Sequence, residues 1–185
     1  MRLRESRTDS CPPDRVSPGW KIECLEKGRS ISRLWIVDRV MRIGGATVRV
    51  GGISTVGTDK KYRGHGLASQ VMHAALALME REGYDASVLH GIPDFYHRFG
   101  YVSCIPEYDL ILPAGFPTPL KGGGKPKDTD GHRLKLRALH PDDLPAMARM
   151  YNRENATRTG SIFRNPRTWK GFPRSAGFFM NNTMR

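Results

Sequence analysis

The chain has 185 residues, 38% hydrophobic and 26% charged, which suits one sizeable domain, or one small domain and part of another. Thirty Lys and Arg against eighteen Asp and Glu give a formal charge of +12, favouring an anionic partner: nucleic acid, an anionic membrane or a polyphosphate ligand. Cys11, Cys24 and Cys104, an odd set without CxxC spacing, argue against a disulfide framework or zinc site and fit a reducing cytoplasm; no apolar run approaches the ~20 residues of a membrane span, and no export signal is visible.

Residues 1–19 show no periodicity, and Pro12, Pro13 and Pro18 punctuate them, so they read as a polar segment. Trp20–Glu26 alternates apolar and polar residues, Ile31–Ile43 is rich in β-branched and large apolar ones, and Thr47–Thr58 is a further strand interrupted by Gly51-Gly52. Tight turns at Lys27-Gly28 and Gly44-Gly45 make these three strands an antiparallel meander. The glycine pair inside the third implies a bulge or a close backbone approach. Leu67, Val71, Ala74, Ala75, Leu78 and Met79 then recur at helical spacing, which predicts a helix from about Gly66 to Arg81 with Gly83 as its stop.

Asp85–Ile92 is a short strand that should run parallel to the one before the helix. "PDFYHRFG" follows as a short helix stopped by Gly100, and Tyr101–Leu112 supplies one or two more strands. The first domain, 20–112, is therefore α+β, a mixed, mostly antiparallel sheet with flanking helices. Residues 113–131, dominated by Pro, Gly, Lys and Asp, form a linker or long loop. From 132 to 185 a new strand-then-helix unit begins, with Leu144, Met147, Ala148 and Tyr151 on one helical face.

The stretch "VGTDKKYRGHGLASQVM" places Arg63-Gly64-His65-Gly66 where a strand hands over to a helix. Two glycines at a helix start cost stability, so either the turn needs backbone angles that glycine alone adopts readily, or a ligand must approach the backbone. Free N–H groups in a first helical turn and the positive end of the helix dipole attract phosphate, and Lys60, Lys61 and Arg63 add charge. The spacing is neither a Walker A loop nor the dinucleotide GxGxxG pattern. A tight strand-to-helix turn without a ligand is the alternative.

Arg63-Gly64-His65-Gly66-Leu67-Ala68 resembles the acyl-CoA-binding motif of the GNAT superfamily of N-acetyltransferases, and "FYHRFGY" (Phe95–Tyr101) resembles that family's short aromatic helix. The resemblance implies an acyl-CoA-dependent N-acetyltransferase that moves an acetyl group from acetyl-CoA to a primary amine, such as a small molecule or a lysine side chain. It implies coenzyme A contacts from Val56, Gly57 and Thr58 on the strand, and from Arg63, Gly64, His65, Gly66, Leu67, Ala68 and Ser69 around the turn. Tyr96 aligns with the tyrosine that protonates the leaving thiolate, and no metal is implied. Tyr101, Phe95 and Phe99 read as packing residues.

Residues 20–172 are similar to the enhanced-intracellular-survival type, which joins two GNAT-like domains and a C-terminal domain. On that comparison 132–185 is a partial second GNAT-like unit, the usual opening strand and helices are missing, and the chain reads as an internal piece of a longer enzyme. No carboxylate stands on the strand where many of these enzymes keep a base. His90 is the nearest titratable candidate for the substrate pocket, and Asp94, Glu107 and Asp109 are the nearby acids. Two other readings stand beside this one. One is an inert remnant that still binds coenzyme A. The other is a basic nucleic-acid-binding module, which charge alone supports, since no helix-turn-helix, zinc spacing or RNP pattern is present; no nucleic-acid partner is expected.

Overall fold

The computed structural model describes residues 1–12, 17–92, 94–104 and 140–171. The alternating apolar positions after Trp20 form the meander: β2 (Ser17–Glu26), β3 (Arg29–Ile43) and β4 (Ala46–Thr58) pair antiparallel in chain order. The apolar stripe after Gly66 forms α1 (Leu67–Arg81), which buries Leu67, Val71, Met72, Ala75, Leu78 and Met79. These side chains meet Ile22, Leu34, Ile36 and Ile53 from the sheet to make the core. β5 (Ala86–Leu89) returns parallel to β4, from Val50↔Ala86 to Ile53↔Leu89. The sheet is five-stranded, with the strands in chain order, and the fold is mixed α+β.

The structure corrects the sequence reading at the N-terminus, at the short aromatic helix and just after it, and decides between the alternatives left open at Gly51-Gly52. Residues 2–11 are a strand, not a tail: β1 (Arg2–Cys11) pairs antiparallel with β2 from Arg2↔Leu25 to Cys11↔Ser17. Most of its residues are exposed, so it carries no apolar alternation, and the ladder to β2 supplies its order. The irregularity in β4 is not at Gly51-Gly52, which keep regular register with Asp38 and Val37. There the close-approach alternative holds, because a Cβ on Gly51 would overlap Met79 Sδ and lie 3.0 Å from Ile36 Cγ2. The bulge falls at Thr55 and Val56, which together oppose the single residue Leu34 between the pairs Arg33↔Gly57 and Trp35↔Ser54. The short aromatic helix is one 3-10 turn, His97–Phe99, and residues 101–104 form no strand.

A helix α2 (Leu144–Glu154) is present, with Ala148 buried. Residues 144–171 group with 1–102 in one compact unit, while 103–143 form another, described only at 103–104 and 140–143, where Pro141–Asp143 makes a 3-10 turn. The sequence reading placed a linker at 113–131. That linker, the strands read at 105–112 and 132–138, Glu107, Asp109 and 172–185 lie outside the described residues.

Within the first unit, the β2–β3 ladder begins at Gly19↔Val37 and leaves the rest of that β3 edge, toward Ile43, without a neighbouring strand from the meander. Residues 159–163 fill the place. Arg42 N–H donates to Ser161 O at 2.9 Å, Gly160 N–H to Arg42 O at 2.8 Å and Phe163 N–H to Val40 O at 2.7 Å. The Met41↔Ile162 bridge is antiparallel.

Candidate functional site

The bulge and the end of β5 create an opening in the sheet. β5 stops at Leu89 opposite Ile53, and among the described residues no strand pairs with that edge of β4 beyond it. On the other edge β3 continues to Ser32↔Thr58, and Asp59 N–H donates to Ile31 O at 2.9 Å. Strand alternation then turns the main-chain groups of Thr58 away from β3, toward the opening. Its carbonyl confirms the direction by accepting Arg63 Nε–H at 3.2 Å. The Thr58 hydroxyl is turned the other way, 2.9 Å from Ser32 Oγ, so Thr58 can offer a ligand its backbone and not its side chain. Val56 is half-buried and packs on the core. Thr55, at φ 49, holds a left-handed conformation that a β-branched residue rarely takes.

From Thr58 the chain passes through a 3-10 turn, Lys60–Tyr62, to the glycine pair. Gly64 and Gly66 have φ of +81 and +72, and nothing lies within 4 Å of where a Cβ would stand on either. The first condition raised by the sequence is met, since the turn needs left-handed backbone, and the space over it is open. Gly66 is the N-cap of α1, no side chain caps the helix, and no acidic residue lies in its first turn. Gln70 N–H makes the first helical bond, to Gly66 O at 3.1 Å, so the N–H groups of Leu67, Ala68 and Ser69 precede the ladder. Arg63 and His65 are exposed beside them, and His65 Nδ1–H donates to Arg63 O at 2.9 Å. Leu67 is the exception among the expected contacts. Its side chain is 2% exposed and belongs to the core, leaving only its amide for a ligand.

Across the opening, His90 and Gly91 follow β5, both exposed. Tyr96 caps the 3-10 turn and packs edge-on against Phe95 and Tyr101, with ring centroids 4.9 and 6.1 Å away. Phe99 enters the core and Phe95 packs against it, as expected. Burial pushes the Tyr96 phenol above its ordinary range, which keeps it protonated at neutral pH and able to give a proton. Asp94 is exposed, at φ 60.

Sequence reasoning missed two supports of Tyr96. A Cβ on Gly91 would overlap ring carbons Cδ2 and Cε2 of Tyr96 and lie 2.7 Å from Leu89 Cδ1, so the ring rests on bare backbone there. Tyr101 is more than packing. Ser87 Oγ–H donates to Gly51 O at 3.0 Å, so Tyr101 O–H must donate to Ser87 Oγ, 2.5 Å away. The neighbouring aromatic thus hangs from the β4–β5 pairing. A glycine just after a strand and a serine within one were the available signals, and neither is specific.

A mixed sheet opened beside an uncapped, glycine-led helix start suits the binding of an anionic ligand. The chain belongs to the acetyltransferase (GNAT) domain family, whose model matches residues 6–104. Fifty residues are 42% identical to the uncharacterized N-acetyltransferase YhbS of Escherichia coli K12, covering 27% of this chain and 30% of that relative's length. Among solved structures, an acetyltransferase from Trypanosoma brucei is similar at 19% identity and a TM-score of 0.42, over 51% of this chain and 68% of that one. A GCN5-related N-acetyltransferase from Kribbella flavida is similar at 24% identity and a TM-score of 0.41, over 43% of this chain and 21% of that one. Among the described residues no helix is long and apolar enough to cross a membrane, and no group of three or more His, Cys, Asp and Glu is placed to hold a metal.

Proposed function

We propose that the protein transfers an acetyl group from acetyl-CoA to a primary amine, with the pyrophosphate of coenzyme A seated on the N-terminus of α1. The carrying observation is the uncapped helix start, free of acidic residues, behind two open positive-φ glycines. The amides of Leu67, Ala68 and Ser69 and the Gly64–Gly66 backbone meet the phosphates, with Arg63 and His65 alongside. The edge of β4 at Val56, Gly57 and Thr58 lies where the pantetheine arm passes toward the opening.

Acetyl-CoA supplies a thioester whose C–S bond breaks as the amine nitrogen bonds the acetyl carbon. Tyr96 gives its phenolic proton to the departing sulfur, and the proton lost by the nitrogen returns through solvent, so the balance closes. His90 stands at the mouth of the opening as a pocket residue. The finer likeness to the enhanced-intracellular-survival type, with 132–185 as part of a second unit, belongs to this proposal and rests on the motif sequence. A reducing, cytoplasmic setting is supported by the odd number of cysteines, Cys11, Cys24 and Cys104, and by their lack of CxxC spacing.

Ser69→Glu tests the phosphate seat. A carboxylate in the first turn favours the helix yet repels phosphate, so coenzyme A should bind at least about tenfold more weakly by calorimetry while the melting temperature holds or rises. Equal affinity removes the seat. Tyr96→Phe should lower amine-dependent thiol release by ~10²-fold and spare coenzyme A affinity, as loss of a general acid does.

A further inference from the structure

Among the described residues no hydrogen bond holds the Tyr96 hydroxyl, so ring contacts set where the phenol points. Three surfaces meet the ring. The Gly91 backbone lies under it, Phe95 stands edge-on at 4.9 Å, and Tyr101 stands edge-on at 6.1 Å. Phe95 makes its other ring contacts within the same turn, to Phe99 at 5.9 Å and to the Arg98 guanidinium at 4.2 Å. Of the two side chains, only Tyr101 is tied to the sheet by a hydrogen bond.

That tie is a chain of hydroxyls. Tyr101 O–H donates to Ser87 Oγ at 2.5 Å, and Ser87 Oγ–H donates to Gly51 O at 3.0 Å. A hydroxyl has one proton to give, so the two bonds together fix both rotors. Ser87 and Tyr101 are half-buried, where water competes less for such bonds. Ser87 stands opposite Gly51 in the parallel β4–β5 ladder. β4 also carries Val56, Gly57 and Thr58, along which the pantetheine arm is placed above. One strand therefore anchors both the acyl donor and the ring that backs the phenol.

We infer that Ser87 is a positioning residue: through Tyr101 it registers the Tyr96 phenol against β4, and so against the departing sulfur. Its chemistry rests on the acetyl-transfer reading above, whereas the hydroxyl chain is measurable without turnover.

Two measurements on the full chain test it. The first follows thiol release from acetyl-CoA with a panel of amines, beside calorimetry with coenzyme A. Ser87→Ala should lower kcat by about fivefold or more, with the amine KM and coenzyme A affinity unchanged, as lost orientation does. Tyr101→Phe should do the same, and the double variant should be no slower than either single one, since both break one chain. Ser87→Thr restores the hydroxyl and should recover most of the rate. In a Tyr96→Phe background Ser87→Ala should cost nothing further. The second measurement is fluorine NMR of the chain labelled with fluorotyrosine, the Tyr96 signal being assigned by its loss in Tyr96→Phe. That signal should shift or broaden in Ser87→Ala and return in Ser87→Thr. A wild-type chain that releases no thiol, yet whose Tyr96 signal follows Ser87, removes the acetyl-transfer reading and supports the coupling. The inference is overturned if the Tyr96 signal ignores Ser87→Ala, if the cost of Ser87→Ala persists without the Tyr96 hydroxyl, or if the loss lies in the amine KM alone.

Discussion

At Gly91 the absence of a side chain lets the Tyr96 ring lie on the chain just after β5. An aromatic ring cannot bend aside as a flexible side chain can, so Gly91→Ala must move it as a body. Displacements near 1 Å can cost two orders of magnitude in rate. Gly91→Ala should therefore lower turnover by about tenfold or more with coenzyme A affinity unchanged, read by thiol release and calorimetry on one preparation. Wild-type turnover would remove Gly91 as a support. The motif around Tyr96 was legible as a pattern because it has aromatic neighbours at fixed spacing. Gly91 was not, because a glycine after a strand reads as punctuation. Thr55 was still less legible, since a threonine within a strand pattern carries no sign of a left-handed backbone.

The helix and the strands with apolar alternation were readable as elements because burial wrote their period into the sequence. β1 was not, because its order comes from pairing and from charge. Arg4 reaches from β1 to the buried carboxylate of Glu23 on β2, at 2.5 Å, and Lys21 Nζ lies 2.6 Å from its other oxygen. Burial pushes the Glu23 carboxyl up, but hydrogen bonds from Lys21 and Arg4 outweigh it and hold the group at about 2 against an ordinary 4.5. A depressed carboxylate stabilises the fold above its unfolded value, and that contribution fades as pH falls from about 4.5 to about 2. Its size is roughly 1–3 kcal/mol, since the partners are partly exposed. Thermal melts of Glu23→Gln should sit below wild type at pH 7 and converge with it near pH 2. A gap that persists at the acid end would assign the loss to packing instead.

For the molecule as a whole, +12 is a composition statement that the fold partly spends within itself. Arg4, Arg7, Arg29 and Arg81 pair with Glu23, Asp38, Asp59 and Glu5. Lys21 and Arg153 are paired as well, with Glu23 and Glu154, and the net excess of positive charge attracts anions in general, while no element among the described residues presents a nucleic-acid-reading motif. A gel shift at ~150 mM salt should give no sequence-dependent complex, and nanomolar, sequence-dependent binding would reverse that reading. Grouping of distant segments was the least legible level. Nothing in "TGSIF" announces that it pairs with a β3 edge laid down far earlier. That separation has a cost in time. Ile162 leaves the ribosome about 120 residues after Met41, so at roughly 5–20 residues per second the uncovered stretch of β3 waits some 6–24 s for its partner. During that interval a nascent chain displays a bare strand edge, Val40–Ile43, to every neighbouring copy on a polysome.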